Sequence, residues 1–366
     1  MTAEQLISFA RGAPSLDIVD VAGLQAAAVR ALETDPVGAT AYGTSVGYLP
    51  LRRWIADRHG VPAEHVLVTN GSLQADAFLF DALLSSGDAV VVEEPTYDRT
   101  LAGLIDRGCQ VHAVPLAPDG IDVDALRALL ESGIRPKLAH IIPNYQNPAG
   151  VTLSVDKRRS LLSLAAEYGF TIFEDDPYVD IRFRGQELPT LLSMAGDAGA
   201  TVVRASSFTK TVCPGVRVGY LVGPAQLLAS IATTATNLYI SPGMFAQATV
   251  HQFCVSGDFD KSVATVSAAL AERARILGEE LTAQIPGVRF TAPDGGYFLW
   301  IEFGEDVDAD RVAAVAAEHG VAVVKGSDFI RGGGRHALRL AYSAVTTERI
   351  PEGVRRLAES VKAVRG

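Results

Sequence analysis

The sequence predicts an α/β chain: a large domain built on a mostly parallel, seven-stranded sheet covered by helices, followed by a smaller α+β domain. Nearly continuous apolar runs alternate with helical patterns through the middle of the chain, as in parallel sheets buried on both faces. In the last third, short strands mix with longer helical patterns. The length, 366 residues, suffices for a large core and two domains.

The elements follow in order. Residues 66–69 read as a strand, followed by a helix over about 72–84. A strand at 89–92 precedes a helix near 99–106, and one at 111–114 precedes a helix near 123–130. Residues 138–142 precede a helix at about 155–168. Strands at 171–173, 201–203 and 218–222 complete the sheet. Beyond it, the pattern predicts a helix over roughly 263–285, strands at 297–303, 321–324 and 338–341, and helices at 309–318 and 346–364. The first forty residues carry no strand of the central type and are expected to join the small domain or cross a dimer interface. The expected division is an N-terminal segment at 1–40, a large domain at 41–270 and a small domain at 271–366.

Hydrophobic residues make up 48% of the chain, charged residues 20%, and the mean hydropathy is +0.20. These values exclude a disordered chain. A net charge of −10 argues against a general nucleic-acid footprint, yet leaves room for a local basic pocket. Cys109, Cys213 and Cys254 form neither a metal pattern nor a disulfide framework and read as small buried apolar residues. Met1–Gln5 carries no leader pattern, and no apolar run is long enough to span a membrane. The expected location is cytoplasmic.

In open α/β sheets, ligands bind beyond the carboxyl ends of the strands. Lys210 follows the apolar run 201–203. A lysine held dry at a strand end favours its neutral amine, the form that makes Schiff bases with aldehydes. Ser207 and Arg217 flank it and can clamp a phosphate. Amine and phosphate clamp together describe a pyridoxal phosphate (PLP) site; a lysine beside a Pro-Gly turn is also an ordinary loop charge. After residues 66–69, Asn70-Gly71-Ser72-Leu73 opens a helix whose backbone N–H groups can cradle an anion, or simply receives an N-cap. Tyr97 can stack on a flat ring or belong to the core. Asn147 can donate to a phenolate oxygen or sit in an Asn-Pro turn. Asp175 can pair with a pyridinium nitrogen, and Tyr178 can reach the ring oxygen; the stretch also reads as a surface acidic turn. Each element is weak alone. Five strand ends offering a cradle, a stacker, an oxygen donor, a nitrogen partner and an amine are specific together.

The ordered set Asn70-Gly71-Ser72, Pro143-Asn144-x-x-Asn147-Pro148-x-Gly150, Asp175-x-x-Tyr178, Ser207-x-x-Lys210 and Arg217-x-Gly219-Tyr220 resembles the class I/II, fold-type-I PLP-dependent aminotransferases. Phe9-Ala10-Arg11-Gly12-Ala13-Pro14, Ala41-Tyr42-Gly43, Gly295–Trp300 and Leu338–Ser343 extend the likeness over essentially the whole chain. Within the family it looks most like the 2-aminoadipate/kynurenine aminotransferases, a group that includes the effector domains of MocR-type regulators. Those regulators carry a DNA-binding domain before the aminotransferase-like part; here the first family motif begins by Phe9, and no such domain is expected.

The resemblance implies a homodimer that moves an amino group between an L-amino acid and a 2-oxo acid. It implies that Lys210 forms the Schiff base with PLP and shuttles the proton. Asp175 would pair with the pyridine nitrogen, and Tyr178 and Asn147 with the ring oxygen. Ser72, the Leu73 amide, Ser207 and Arg217 would hold the phosphate, with Tyr42 reaching in from the neighbouring subunit. Tyr97 would stack on the ring. Gly12 and Asn147 would border the substrate, and Arg339 would grip its α-carboxylate. Lys325 departs from the family, which usually has proline there; it reads as a solvated loop lysine or as part of the substrate pocket. The cofactor motifs do not separate transamination from elimination, decarboxylation or an oxidase-like branch, and they also suit a PLP sensor without turnover.

Overall fold

The computed structural model describes residues 6–365; Met1–Gln5, read above as lacking a leader pattern, lies outside them. Within that range the strands are β1 (Ile7–Ser8), β2 (Val66–Thr69), β3 (Ala89–Glu94), β4 (Gln110–Ala117), β5 (Gly120–Ile121), β6 (Leu138–Ile141), β7 (Thr171–Asp175), β8 (Val202–Ser207), β9 (Gly219–Val222), β10 (Phe298–Glu302), β11 (Val321–Ala322), β12 (Val324–Lys325) and β13 (Ala337–Ala341). The helices are α1 (Val21–Thr34), α2 (Pro36–Thr40), α3 (Leu49–His59), α4 (Ser72–Leu83), α5 (Asp98–Asp106), α6 (Val123–Glu131), α7 (Val155–Tyr168), α8 (Leu191–Ala198), α9 (Ala225–Tyr239), α10 (Met244–Val255), α11 (Asp258–Gln284), α12 (Ala309–Glu318) and α13 (Ile350–Arg365).

The large sheet has the order β2-β9-β8-β7-β6-β3-β4-β5. Strands β8, β7, β6, β3 and β4 pair in parallel, while β9 runs antiparallel to both its neighbours. All seven expected strands are present. The two-residue β5 turns back on β4 and adds an eighth, too short to leave a periodic signal in the sequence. Strands β3, β7 and β8 run beyond their apolar stretches, to Glu94, Asp175 and Ser207. The ladder continues there because Glu93, Asp175 and Ser206 are buried and hydrogen-bonded.

One face packs Leu67, Val92, Phe173 and Val203 against Ala75 and Leu79 of α4 and Leu228 and Ile231 of α9. The other packs Val91, Ile141 and Ile172 against Leu126 of α6, Leu161 of α7 and Leu191 of α8. Predicted and observed bounds agree where caps punctuate the chain. The Ser154 side chain accepts from the Lys157 N–H at the start of α7, and Gly169 closes that helix in the left-handed conformation, φ 74°. Helices α1, α2, α3, α8, α9 and α10 lie outside the expected set. In α9 the buried residues are Leu228, Ile231, Ala232 and Ala235, and alanine also stands on the exposed face at Ala229, which blunts the contrast between the two faces.

The smaller sheet, β10-β13-β12, is antiparallel. Its core joins Tyr297, Leu299 and Leu340 to Leu277 of α11, Val312 of α12 and Val354 of α13. The expected strand 321–324 divides in two, because β11 pairs with β1 and β12 with β13. The N-terminal residues thus split: Ile7 and Phe9 enter the small core, while α1 packs on α10. Helix α11 runs unbroken through residues 270 and 271, with Phe259 in one core and Leu277 in the other. Among the described residues no helix is long and apolar enough to cross a membrane.

Candidate active site

Beyond the carboxyl ends of β2, β3, β6, β7 and β8 lies a cavity of about 190 Å³. Ser72, Leu73, Tyr97, Asn147, Asp175 and Tyr178 line it, together with Ser207, Lys210 and Arg217. Ile142, Pro177 and Thr209 complete the wall. A larger cavity of about 680 Å³ runs along α11 beside Phe183 and Phe290, away from these residues. The smaller one is the candidate, because ionisable groups from separate strand ends converge on it.

One end is built for an anion. Helix α4 begins after Gly71, φ +87°, and its first backbone N–H groups have no intrahelical partners. Arg217 donates from Nη2 to Asn70 O at 3.0 Å. A Cβ at Gly71 would lie 2.4 Å from that same nitrogen, and one at Gly219 would lie 2.6 Å from Gly71 C. Two glycines therefore let the guanidinium and β9 close on the helix start. Arg217 itself has φ 51°, a left-handed conformation that costs roughly 1 kcal/mol outside glycine. Ser207 Oγ donates to Thr209 Oγ1 at 2.7 Å and accepts from Thr209 N at 3.1 Å, which shapes the turn carrying Lys210.

The other end is built for a polar ring. Asp175 Oδ2 lies 3.3 Å from His140 Nε2, while Oδ1 is buried with no partner. Its neighbours Glu174 and Asp176 point to the opposite face, where Arg204 pairs with both at 2.8 Å. The Tyr178 ring meets Phe298 edge-on at 5.8 Å, and burial raises its phenol well above the usual range.

Lys210 donates from Nζ to Gly12 O. The rings of Tyr297 and Tyr178 lie 5.2 and 5.7 Å from that nitrogen, and Tyr297 OH donates to Lys210 O at 2.5 Å. Burial first, then the Arg339 cation, pushes the amine down to about 8; Asp175 acts in the opposite sense. Arg339 sits between Phe298 and Phe329, at 4.3 and 4.8 Å from their ring centres. It donates from Nη1 to Asn147 Oδ1 and from Nη2 to Ala10 O, each at 2.9 Å, and its Nε has no partner.

Tyr42 stands apart. It is 88% exposed and lies at a surface cleft formed with Ser241–Met244, not at this chain's cavity. Lys325 ends β12, half-exposed and 3.4 Å from Asp328. His140, Tyr297 and Phe329 were not among the predicted site residues. His140 sits inside an apolar strand, and that one polar interruption was its signal in the sequence; Tyr297 and Phe329 carry no signal beyond their aromatic type.

These residues fit PLP. The orphaned Asp175 Oδ1 suits a protonated ring nitrogen, the glycine-lined helix start suits a phosphate, and the dry Lys210 amine suits an aldehyde. The model for the family described as aminotransferase class I and II matches residues 4–357, and the chain belongs to that family. It is a PLP-dependent aminotransferase of fold type I. It is 33% identical to the 2-aminoadipate transaminase of Thermus thermophilus over 362 residues, 98% of this chain and 91% of that protein. Aromatic-amino-acid aminotransferase 1 of Thermococcus litoralis is 30% identical over 369 residues, 98% of this chain and 88% of that one. The crystal structure of LysN, an alpha-aminoadipate aminotransferase from Thermus thermophilus complexed with N-(5′-phosphopyridoxyl)-L-leucine, matches with a TM-score of 0.94 at 33% identity. That match covers 99% of this chain and 93% of the other.

Proposed function

We propose that this chain exchanges amino groups between an L-amino acid and a 2-oxo acid as a cytoplasmic homodimer, with Lys210 as the reacting amine. The observation that carries the assignment is the convergence of Lys210, Asp175 and Arg217 on one cavity, with Arg339 delivered from the small sheet. Bound PLP supplies an electron sink for the bonding pair at the substrate α-carbon. Asp175 Oδ1 would accept the ring N–H and keep the ring cationic. Ser72, the Leu73 amide, Ser207 and Arg217 would hold the phosphate, and Tyr97 would cover the ring. Tyr178 and Asn147 would hold the ring oxygen. Lys210 Nζ, neutral above about pH 8, takes the α-proton and returns it on the other side of the exchange. Arg339 grips the α-carboxylate with its planar fork, and Gly12 leaves room for the substrate.

Tyr42 acts in the neighbouring subunit's site. The exposed apolar residues Val37, Tyr42, Leu238, Ile240 and Phe245, on segments that flank the Ser241–Met244 cleft, support a self-association surface there. The relatives' names direct the first substrate panel to 2-aminoadipate and aromatic amino acids, with 2-oxoglutarate and pyruvate as acceptors. The purified protein is expected to show the visible band of lysine-bound PLP, and Lys210→Ala to lose both band and exchange. A wild type that stays colourless with added PLP overturns the assignment. Products measured with and without a 2-oxo acid separate exchange from elimination or decarboxylation.

A further inference from the structure

Residues 9–17 form a strap that runs past Arg339 and Lys210 between two anchors. At the first anchor Phe9 donates its N–H to Ala322 O at 2.8 Å and accepts from the Ala341 N–H at 2.7 Å. Beyond it the strap turns carbonyls toward the site: Ala10 O accepts from Arg339 Nη2 at 2.9 Å, and Gly12 O accepts from Lys210 Nζ. A Cβ at Gly12 would collide with the Phe298 ring, whose centre lies 4.3 Å from the Arg339 guanidinium carbon.

The second anchor is Arg273 of α11. It stands on the buried face of that helix with Leu270 and Leu277 and is only 2% exposed. A leucine would fill such a position without desolvating a charge, so a buried arginine needs partners. Its Nη1 donates to Ser15 Oγ at 2.8 Å and to Ser343 O at 2.7 Å, and its Nη2 donates to Asp17 Oδ2 at 2.6 Å. Two of these acceptors belong to the strap. The third follows β13, the strand that carries Arg339. Ser343 O also accepts from the Ser15 N–H at 3.3 Å, and Ser343 Oγ donates to Arg11 O at 3.3 Å. The guanidinium thus pins the far end of the strap to the end of β13.

We propose that Arg273 is a positioning residue for substrate binding: through Ser15 and Asp17 it fixes the strap so that Gly12 borders the substrate and Ala10 O steadies Arg339. The inference rests on the aminotransferase reading of the cavity. Arg273 is not among the cavity's lining residues, so its effect runs through the strap backbone. A strap held at one end only has more freedom to lose, and the arriving substrate must order it. That cost falls on the ground state and the transition state alike, so it raises KM and leaves kcat.

The test compares four PLP-loaded forms: wild type, Arg273→Leu, Ser15→Ala with Asp17→Ala, and the three changes combined. The donor is L-2-aminoadipate or L-phenylalanine, whichever the wild type turns over faster, and the acceptor is 2-oxoglutarate. KM, kcat and the PLP dissociation constant are measured, with Tm as the control for folding. Arg273→Leu is expected to raise the donor KM about tenfold, as loss of hydrogen bonds to a charged group should do, with kcat and PLP affinity held. The Ser15–Asp17 variant should show the same split, and the combined variant should add little, because both break one anchor. Should the leucine variant fail to fold, the Ser15–Asp17 variant, altered on the strap rather than in the helix core, carries the test with the same expectation. An unmoved KM, whatever the Tm, overturns the inference. So do KM effects that multiply in the combined variant, or a loss of PLP affinity that matches the rise in KM. A wild type that takes up no PLP, or exchanges with neither donor, overturns the functional reading instead.

Discussion

Arg339 Nη1 donates to Asn147 Oδ1 at 2.9 Å, and this contact joins β13 of the small sheet to the loop that follows β6 of the large one. Asn147 is buried there, and the guanidinium carbon lies 4.3 and 4.8 Å from the ring centres of Phe298 and Phe329. The geometry favours a planar fork over a point charge.

Arg339→Lys keeps the charge and loses the fork. It is expected to lower kcat/KM for the amino acid about a hundredfold, the weight of roughly 3 kcal/mol of charged hydrogen bonding, while PLP binding holds. Steady-state kinetics beside a cofactor titration check this. A variant that loses PLP in proportion to its rate would place Arg339 at the cofactor rather than the substrate.

The Lys210 amine sits near 8 in the fold against an ordinary 10.5. Uptake of PLP by the apoprotein is therefore expected to accelerate as pH rises through about 8, where the amine becomes neutral. Stopped-flow absorbance reads it, and a rate that does not change across that midpoint contradicts it. The same shift disfavours the protonated amine in the fold. That contribution is unfavourable below 8 and fades as pH climbs toward 10.5.

Glu93 behaves in the opposite sense, its carboxyl pushed up to about 8 by burial from an ordinary 4.5. A raised carboxyl contributes stability that is intact below 4.5 and is lost as pH rises through 8. Apoprotein Tm should fall over that window, and Glu93→Gln should flatten the decline. Parallel Tm profiles of the two proteins would remove Glu93 as its cause.

Arg204 holds Glu174 and Asp176 in a fully buried pair of contacts, both at 2.8 Å. Arg204→Met leaves two buried carboxylates unpaired and is expected to cost about 3–5 kcal/mol of stability. The triple variant with Glu174→Gln and Asp176→Asn should recover most of that loss. Denaturant midpoints measure both. A triple variant no more stable than the single one would show that the arginine contributes packing rather than charge.

If Tyr42 serves the neighbouring site, subunits carrying Tyr42→Ala and subunits carrying Lys210→Ala should complement each other. Mixed dimers would contain one site with both residues intact. Co-expressed, differently tagged subunits test this; activity no higher than either parent rules out sharing.

Much of the fold was legible because its signals are local. The strands at Val66–Thr69, Leu138–Ile141 and Gly219–Val222 are short apolar runs, and α7 and α12 announce themselves by caps at Ser154 and Asp308. The carboxyl halves of β7 and β8 were not legible, because Glu174 and Arg204 look like surface residues until they pair. Helix α1 was missed for a related reason: its buried residues are Ala27 and Ala31, and only the apposition of α10 gives them a core.

Of the site, the sequence by itself determined which chemical groups were present and in what order: an amine after one strand, carboxylates after another, an arginine seven residues past the lysine. Such information is carried by residue type and spacing, which a chain holds before it folds. Only the tertiary structure decided which oxygen of Asp175 is free, that Lys210 is dry enough to lose its proton near neutral pH, and that His140 stands behind the carboxylate. Those properties arise from desolvation and from contacts between strands far apart in the chain, and they exist only once the sheet has brought the strand ends together.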